Sequence, residues 1–174
     1  MRKLALAIGL IATVLTVTTA ATPAMAATTQ AFDIRFNEGF GGATAHPCPL
    51  TENFSWCGTG TITGFGEATS FAEVLSFNFD PATLCGDTMI RRTITLEDGS
   101  TLVLMETGTV CFPGKSVLAP DSAKAFGNPY KVEATFTIVT GTGVFAGAHG
   151  SGTDVIKAAG DTSDSRLSGS ITLP

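Results

Sequence analysis

The sequence predicts an all-β fold, an eight-stranded antiparallel closed barrel preceded by a cleaved signal peptide. Several segments alternate apolar and polar residues with a period of two, which is the pattern of half-buried strands. Turn signals rich in glycine, aspartate and proline separate these segments at short spacing, and no segment has a convincing helical pattern. A barrel is the favoured closure because it removes exposed sheet edges. A β-sandwich is the alternative architecture.

The first 26 residues have the pattern of a secretory signal peptide. Residues 1–3 are basic, 4–17 are apolar, and 24–26 form an A-x-A cleavage signal. A transmembrane helix needs about 20 apolar residues, and this run is shorter. We therefore expect residues 1–26 to be removed and residues 27–174 to form one β-barrel domain, secreted and not membrane-associated after cleavage.

The length and charge of residues 27–174 favour one domain that does not bind nucleic acid. About 148 residues, the 174 of the chain less the 26 of the leader, can bury a substantial core. Removing Arg2 and Lys3 from the 10 basic residues leaves 8 against 15 acidic residues, a formal charge of −7. This excess of negative charge disfavours binding to nucleic-acid phosphates or to an anionic membrane surface.

The cysteines predict two disulfide bonds. Four cysteines in an exported chain are typical of such bonds, and three pairings are open. We favour Cys48–Cys57, which closes one loop, and Cys85–Cys111, which ties neighbouring strands. A metal site is not expected, because no C-x-x-C occurs and the two histidines, His46 and His149, are isolated. We also expect no cofactor, since the glycines at 141 and 143 do not open a helix as a dinucleotide site requires.

Eight segments have the pattern of strands. In the first, Phe32, Ile34, Phe36 and Phe40 share a face with Glu38. The second is rich in glycine and threonine, where glycine permits bends and close packing. The third alternates around Phe71, Glu73, Leu75, Phe77 and Phe79, and two long loops are predicted at 41–56 and 113–129. The segments are 30–40, 57–67, 69–79, 87–97, 100–112, 130–140, 147–157 and 167–173.

The fourth and fifth segments form a hairpin around Asp98-Gly99. A turn longer than two residues would align their apolar faces, whereas a one-residue slip would expose one of them. The longer turn places Arg92 opposite Glu106 or one pair away. A charge on an apolar face must be paired, protonated or at a barrel mouth.

These charges have a functional and a structural interpretation. Arg92, Glu106 and Glu73 are candidate catalytic or polar contacts in an apolar cavity. The structural alternative is an ion pair within the barrel, or strand ends that reach water. The side chains expected to line the cavity and contact a ligand are Phe71, Phe77, Ile94, Leu104 and Phe136.

The glycine-rich turn before the seventh strand carries a family resemblance. Its sequence, G-T-G-V-F-A-G-A-H-G over residues 141–150, resembles the G-G-T-G-x-F-x-x-A-x-G signature of allene oxide cyclase and dirigent-type barrels. Thr140 stands where the family usually has glycine. The signature covers about a dozen residues and is structural: its glycines turn the chain and its phenylalanine, Phe145 here, fills a core position. The strand count extends the likeness over most of residues 27–174.

The resemblance implies an eight-stranded barrel that encloses a reactive apolar substrate without a cofactor. Plant members of the family cyclise an unstable epoxide or steer phenoxyl radical coupling. We therefore hypothesise a secreted barrel that binds a small apolar molecule in its lumen, with isomerisation or cyclisation of that molecule left open. The alternative is a non-catalytic secreted barrel that binds protein or has a structural role. Family members often form dimers or trimers, so a homo-oligomer is an option that the sequence does not settle.

Overall fold

The computed structural model of the chain describes residues 27–40, 48–49, 54–112 and 129–174. The predicted leader, 1–26, and most of the predicted loops at 41–56 and 113–129 lie outside these residues. The described part of the chain contains eight strands, β1 to β8. Their bounds are Thr28–Phe40, Ser55–Ile62, Gly66–Asp80, Cys85–Leu96, Thr101–Cys111, Tyr130–Gly141, His149–Ala159 and Thr162–Leu173.

The eight strands form one closed antiparallel barrel. Each strand pairs with the next along the chain, and β1 pairs with β8 from Thr28–Leu173 to Gly39–Thr162. The predicted eight-stranded antiparallel barrel is therefore confirmed. The described residues contain no α-helix, only a 3₁₀ turn at Gly143–Phe145 between β6 and β7. Nowhere in those ranges is there a helix with the length and apolar character needed to cross a membrane.

The inside of the barrel is built in layers along its axis. The upper core is a cluster of buried apolar side chains from most of the strands, including Phe32, Ile94, Leu104 and Phe136. The lower core is a second cluster built on smaller side chains such as Ala72, Ala134 and Ala158. Between them lies a polar layer, which consists of Glu38, Ser70, Arg92, Glu106, Asp154 and Ser165.

The two ends of the barrel differ. The upper end carries the β2–β3, β4–β5 and β6–β7 turns, and its core is closed by the fully buried Phe145, whose ring centroid lies 4.8 Å from that of Phe65. Gly143, at φ +58°, and Gly147, at φ +74°, provide the left-handed conformations of this turn. The lower end, which we call the mouth, carries the connections after β1, β3, β5 and β7. The glycine turn thus closes the upper end of the barrel, opposite the mouth.

Glycine allows the backbones of β1 and β2 to approach closely where they pair. Gly58 lies opposite Glu38. A Cβ at Gly58 would overlap the main-chain oxygen of Asn37, on the adjacent strand. The position therefore excludes every side chain, which accounts for glycine at this point of β2.

A β-bulge in β3 corrects the face assigned to that strand from sequence. The inward residues of its first half are Ala68, Ser70 and Ala72, whereas Phe71 faces outward and is half-buried. The register shifts between Val74 and Ser76, because a bulge inserts one extra residue and reverses the alternation. Phe77 and Phe79 therefore lie on the same side as Gly86 and Thr88 of β4. Strict alternation from Phe71 to Phe79 was wrong for this reason.

The β4–β5 hairpin has the predicted longer connection and the predicted shared face. Ile94 pairs with Leu102, Arg92 with Leu104 and Ile90 with Glu106, which places Glu106 one pair away from Arg92. Two disulfide bonds, Cys85–Cys111 and Cys48–Cys57, link the pairs favoured from sequence. Cys85 and Cys111 are also register partners, so their bond ties the mouth end of this hairpin.

Candidate functional site

Arg92 is the centre of the polar layer and is completely buried. Its Nε donates to Glu106 Oε1 at 2.6 Å, its Nη2 donates to Asp154 Oδ2 at 3.0 Å, and its Nη1 donates to Glu38. The guanidinium also lies over the ring of Phe36, 5.8 Å from its centroid. Burial opposes the charge of Arg92, but the three carboxyl groups raise its pKa above the usual value, so it remains a cation.

Two serines complete the hydrogen bonding of this layer. Ser70 accepts from Arg92 Nη1 at 2.8 Å and donates to Glu38 Oε1 at 2.6 Å. Ser165 donates to the carboxylate of Asp154 at 2.9 Å. The six residues of the layer come from β1, β3, β4, β5, β7 and β8. The layer therefore links opposite walls of the barrel through its interior.

Glu106 is the member of the layer that retains a proton. One guanidinium faces three carboxyl groups, and burying more negative charge than can be paired is costly. Burial raises the pKa of Glu106 to about 8, although Arg92 acts in the opposite direction. Its Oε2 is buried without a hydrogen-bond partner among the described residues. At neutral pH the carboxyl group is therefore a neutral acid with one oxygen free to donate.

The mouth is crossed by a continuous chain of seven aromatic rings. Trp56 of β2 lies 6.3 Å from Tyr130 of β6, centroid to centroid, although these strands are not neighbours in the sheet. Tyr130 lies 5.3 Å from Phe112. The order of the rings is Phe54, Phe40, Trp56, Tyr130, Phe112, Phe79 and Phe77. These rings cover the lower core, and two of them, Phe54 and Phe77, are 54% and 43% exposed.

A cavity of about 460 Å³ lies beside this aromatic chain, which we call the mouth cavity. It is bounded by the start of β6 (129–131), the end of β7 (157–159), the start of β8 (162–164) and Asn37. Cavities that hold small organic molecules have volumes of about 300–1,000 Å³. The mouth cavity is therefore large enough for a small ligand.

Ser163 and Tyr130 connect the mouth cavity to the polar layer. Ser163 lines the cavity, is the register partner of Glu38, and has a buried hydroxyl without a hydrogen-bond partner in the described structure. Burial raises the pKa of the Tyr130 hydroxyl, and the charge of nearby Glu38 raises it further. A ligand in the mouth cavity would thus meet the unsatisfied hydroxyl of Ser163 and the neutral phenol of Tyr130. Both residues are neighbours of Glu38, which is a partner of Arg92.

The structure brings together two of the three charged residues singled out from sequence. Arg92 and Glu106 contact each other inside the barrel, where Arg92 Nε donates to Oε1 of the neutral Glu106. Glu73 does not join them: its neighbour Ala72 faces Arg92, so Glu73 lies on the outer side and pairs with Arg91 at 2.5 Å.

The five expected ligand contacts lie elsewhere than the mouth cavity. Ile94, Leu104 and Phe136 are packed in the upper core with exposures of 0%, 0% and 1%. Phe77 belongs to the aromatic chain and Phe71 faces outward. None of the five lines the mouth cavity.

Sequence reasoning missed Asp154, Ser163 and Ser165 as site residues. Asp154 is the only charged inward residue of β7, between Gly152 and Ile156, so its signal was a carboxylate on a face of small and apolar residues. The two serines were missed because the last strand was expected to begin at residue 167, whereas β8 begins at Thr162.

In the described ranges, no group of three or more histidines, cysteines, aspartates and glutamates is arranged to hold a metal ion. Comparison of the chain with protein-family models, with curated proteins and with solved structures found no match.

Proposed function

We propose that this chain is an exported barrel that binds a small, largely apolar molecule in the mouth cavity. The observation that carries the proposal is the meeting of a 460 Å³ cavity, an apolar wall and an unsatisfied buried hydroxyl, that of Ser163. Binding sites for small molecules combine a mostly apolar lining with a few polar groups that orient the ligand. The two disulfides support export, since such bonds persist in oxidising compartments.

The mouth cavity, rather than the centre of the barrel, is the proposed site because the interior is filled. Eight strands enclose only enough space for side chains or one small ligand. Here that space is taken by the upper core, the polar layer and the lower core. The ligand site is therefore displaced to the edge of the barrel, between β6 and β8.

The resemblance to allene oxide cyclase and dirigent-type barrels supports extending binding to isomerisation or cyclisation of the bound molecule. The chemistry that the polar layer could supply is proton transfer, because Glu106 is a neutral acid near pH 7. Glu106 is completely buried, however, and lies outside the lining of the mouth cavity. We therefore rest the proposal on binding and assign no catalytic residue.

The proposal is tested by titrating the protein with 4-phenylbutanol, a neutral apolar probe. Trp56 is the single tryptophan of the chain and packs against Tyr130 at the cavity, so its fluorescence reports occupancy. Ala159→Phe places a large ring at the exposed edge of the cavity, and Ala31→Phe places the same ring on the exposed outer side of β1. We expect saturable binding to the native protein and to Ala31→Phe, and at least about tenfold weaker binding to Ala159→Phe. Absence of saturation in the native protein, or equal affinity in both variants, contradicts the proposal.

One observation favours the alternative of a non-catalytic, protein-binding barrel. Leu75 and Met89 are large apolar side chains exposed by 36% and 39%, and they lie where β3 pairs with β4 near the bulge. Exposed apolar patches often mark protein interfaces. Native mass spectrometry of the same samples separates the two functions: a stable oligomer that binds no probe supports the alternative.

A further inference from the structure

Two lysines stand opposite each other at the mouth cavity. Lys131 of β6 and Lys157 of β7 are direct register partners, and both line the cavity. Like charges directly opposite on neighbouring strands repel and destabilise the pair. A local arrangement that costs stability points to a role outside folding.

The neighbouring acidic groups neutralise this pair of lysines only in part. Lys157 makes no ion pair with any residue in the described part of the chain. Asp164, its register partner on β8, instead accepts a hydrogen bond from Asn37 at 3.3 Å. Lys131 pairs with Glu133, but both side chains are exposed, and such surface pairs contribute little. Two ammonium groups and the single carboxylate of Asp164 give the lining a formal charge of +1, in a chain whose net charge is −5.

The remaining lining complements these charges. Pro129, Tyr130, Ala158 and Ala159 present an apolar surface next to the lysines. Ser163 adds the buried hydroxyl that has no partner in the described residues. Asn37, Thr162 and Asp164 complete the lining, which therefore combines an apolar wall, two ammonium groups, one carboxylate and neutral polar groups.

We propose that the mouth cavity recognises a small amphipathic carboxylic acid, with its carboxylate bound by Lys157 and Lys131. The apolar part of the acid packs against Tyr130 and Ala158, and Ser163 donates to an oxygen of the ligand. This assignment rests on the proposed function and specifies the chemical class of the ligand. An organic acid fits better than inorganic phosphate because most of the wall is apolar.

The test compares two probes that differ only in their head group, 4-phenylbutyrate and 4-phenylbutanol. The native protein should bind the acid about tenfold more tightly than the alcohol at low salt, and this preference should shrink as ionic strength rises. Lys157→Gln keeps a long polar side chain but removes its charge, and it should bring the two affinities to within about twofold. Lys157→Arg keeps the charge and should retain the preference.

Arg166→Gln is the matched control, because it removes one positive charge from an exposed position on β8 outside the cavity. It should leave the preference intact. Equal affinity for the two probes in the native protein, or an equal loss in Lys157→Gln and Arg166→Gln, overturns the assignment and leaves the proposed function standing. Failure of both probes to bind overturns both.

Discussion

At the residue scale, Arg92 shows why a charged group can be retained inside a small barrel. Removing a guanidinium and its partners from water costs several kcal/mol for each ion, and attraction offsets this only when hydrogen bonding is nearly complete. Arg92 meets this condition through Glu38, Glu106, Asp154 and Ser70. The layer still contains more carboxyl groups than one cation can pair, and the proton held by Glu106 reduces this excess by one.

The raised pKa of Glu106 predicts a specific pH dependence of stability. The unfolded chain releases this proton near pH 4.5, whereas the folded chain holds it to about pH 8. The contribution of Glu106 is therefore fully present below pH 4.5 and is lost as the pH rises through 8, by at most about 1.4 kcal/mol per pH unit. Glu106→Gln mimics the protonated acid and should flatten the pH dependence between 4.5 and 8, measured by urea unfolding at a series of pH values.

Glu67→Gln is the control for this prediction, because it removes a carboxyl group from an exposed site on β3. A similar flattening in both variants would show that the slope does not come from Glu106. A Glu106→Gln variant with the native slope would show that the carboxyl group is ionised in the folded protein.

The local alternation of apolar and polar residues revealed some of the site residues but not which of them contact one another. Arg92 and Glu106 could be found because each interrupts an apolar face of a predicted hairpin whose register is fixed by its turn. Their contact with Asp154 joins strands 62 residues apart, and no local pattern encodes that distance. The lysine pair at 131 and 157 depends on the register between β6 and β7, which is likewise known only from the fold.

At the element scale, the face that each residue of a strand presents to the core depends on where the alternation of inward and outward residues is interrupted. Period two predicted β1 and the β4–β5 hairpin correctly, because these strands keep one face inward along their length. The same rule failed in β3, where the bulge exchanges the faces. Bulges leave little trace in a single sequence, so Phe71 and Glu73 were placed inside when they face outward.

The close approach of β1 and β2 at Gly58 gives the prediction at this scale. Gly58→Ala must move two paired strands, since the added methyl meets backbone rather than a flexible side chain. We expect a loss of at least about 2 kcal/mol in the free energy of unfolding, measured by denaturant titration. Gly160→Asn is the control: its φ is +62°, nothing lies within 4 Å of an added Cβ, and asparagine tolerates the left-handed region. Equal stabilities of the two variants would mean that the approach of β1 and β2 at Gly58 is not tightly constrained.

At the scale of the whole molecule, the barrel is a meander closed by the pairing of β1 with β8. This closure joins residues as far apart as Thr29 and Thr172, whose hydroxyls lie 2.7 Å apart. In a closed meander, moving the chain termini to any other turn would again leave one pairing between strands at the two ends of the chain. The order in which the strands are connected should therefore matter less than their pairing.

A circular permutation tests this view of the fold. A short glycine–serine linker joins Pro174 to Thr28, and the chain is opened between Asp98 and Gly99, in the turn at the end of the barrel opposite the mouth. The opened strands remain linked by the Cys85–Cys111 bond at their other end. We expect the permutant to fold as a monomer with a stability within about 2 kcal/mol of the native value, because exposed turns tolerate new termini. Its affinity for 4-phenylbutanol should be unchanged, since the mouth cavity is built from β1, β6, β7 and β8.

The matched permutant has the same linker but is opened between Leu104 and Met105, inside β5 and next to Glu106. It cuts a paired strand beside the polar layer, and it should lose both the cooperative unfolding transition and the binding of the probe. Unfolding would be followed by far-ultraviolet circular dichroism and by the fluorescence of Trp56. If opening the turn proved as damaging as opening the strand, the barrel would depend on its chain connectivity. Pairing around the ring, together with the polar layer across it, would then be insufficient to specify the fold.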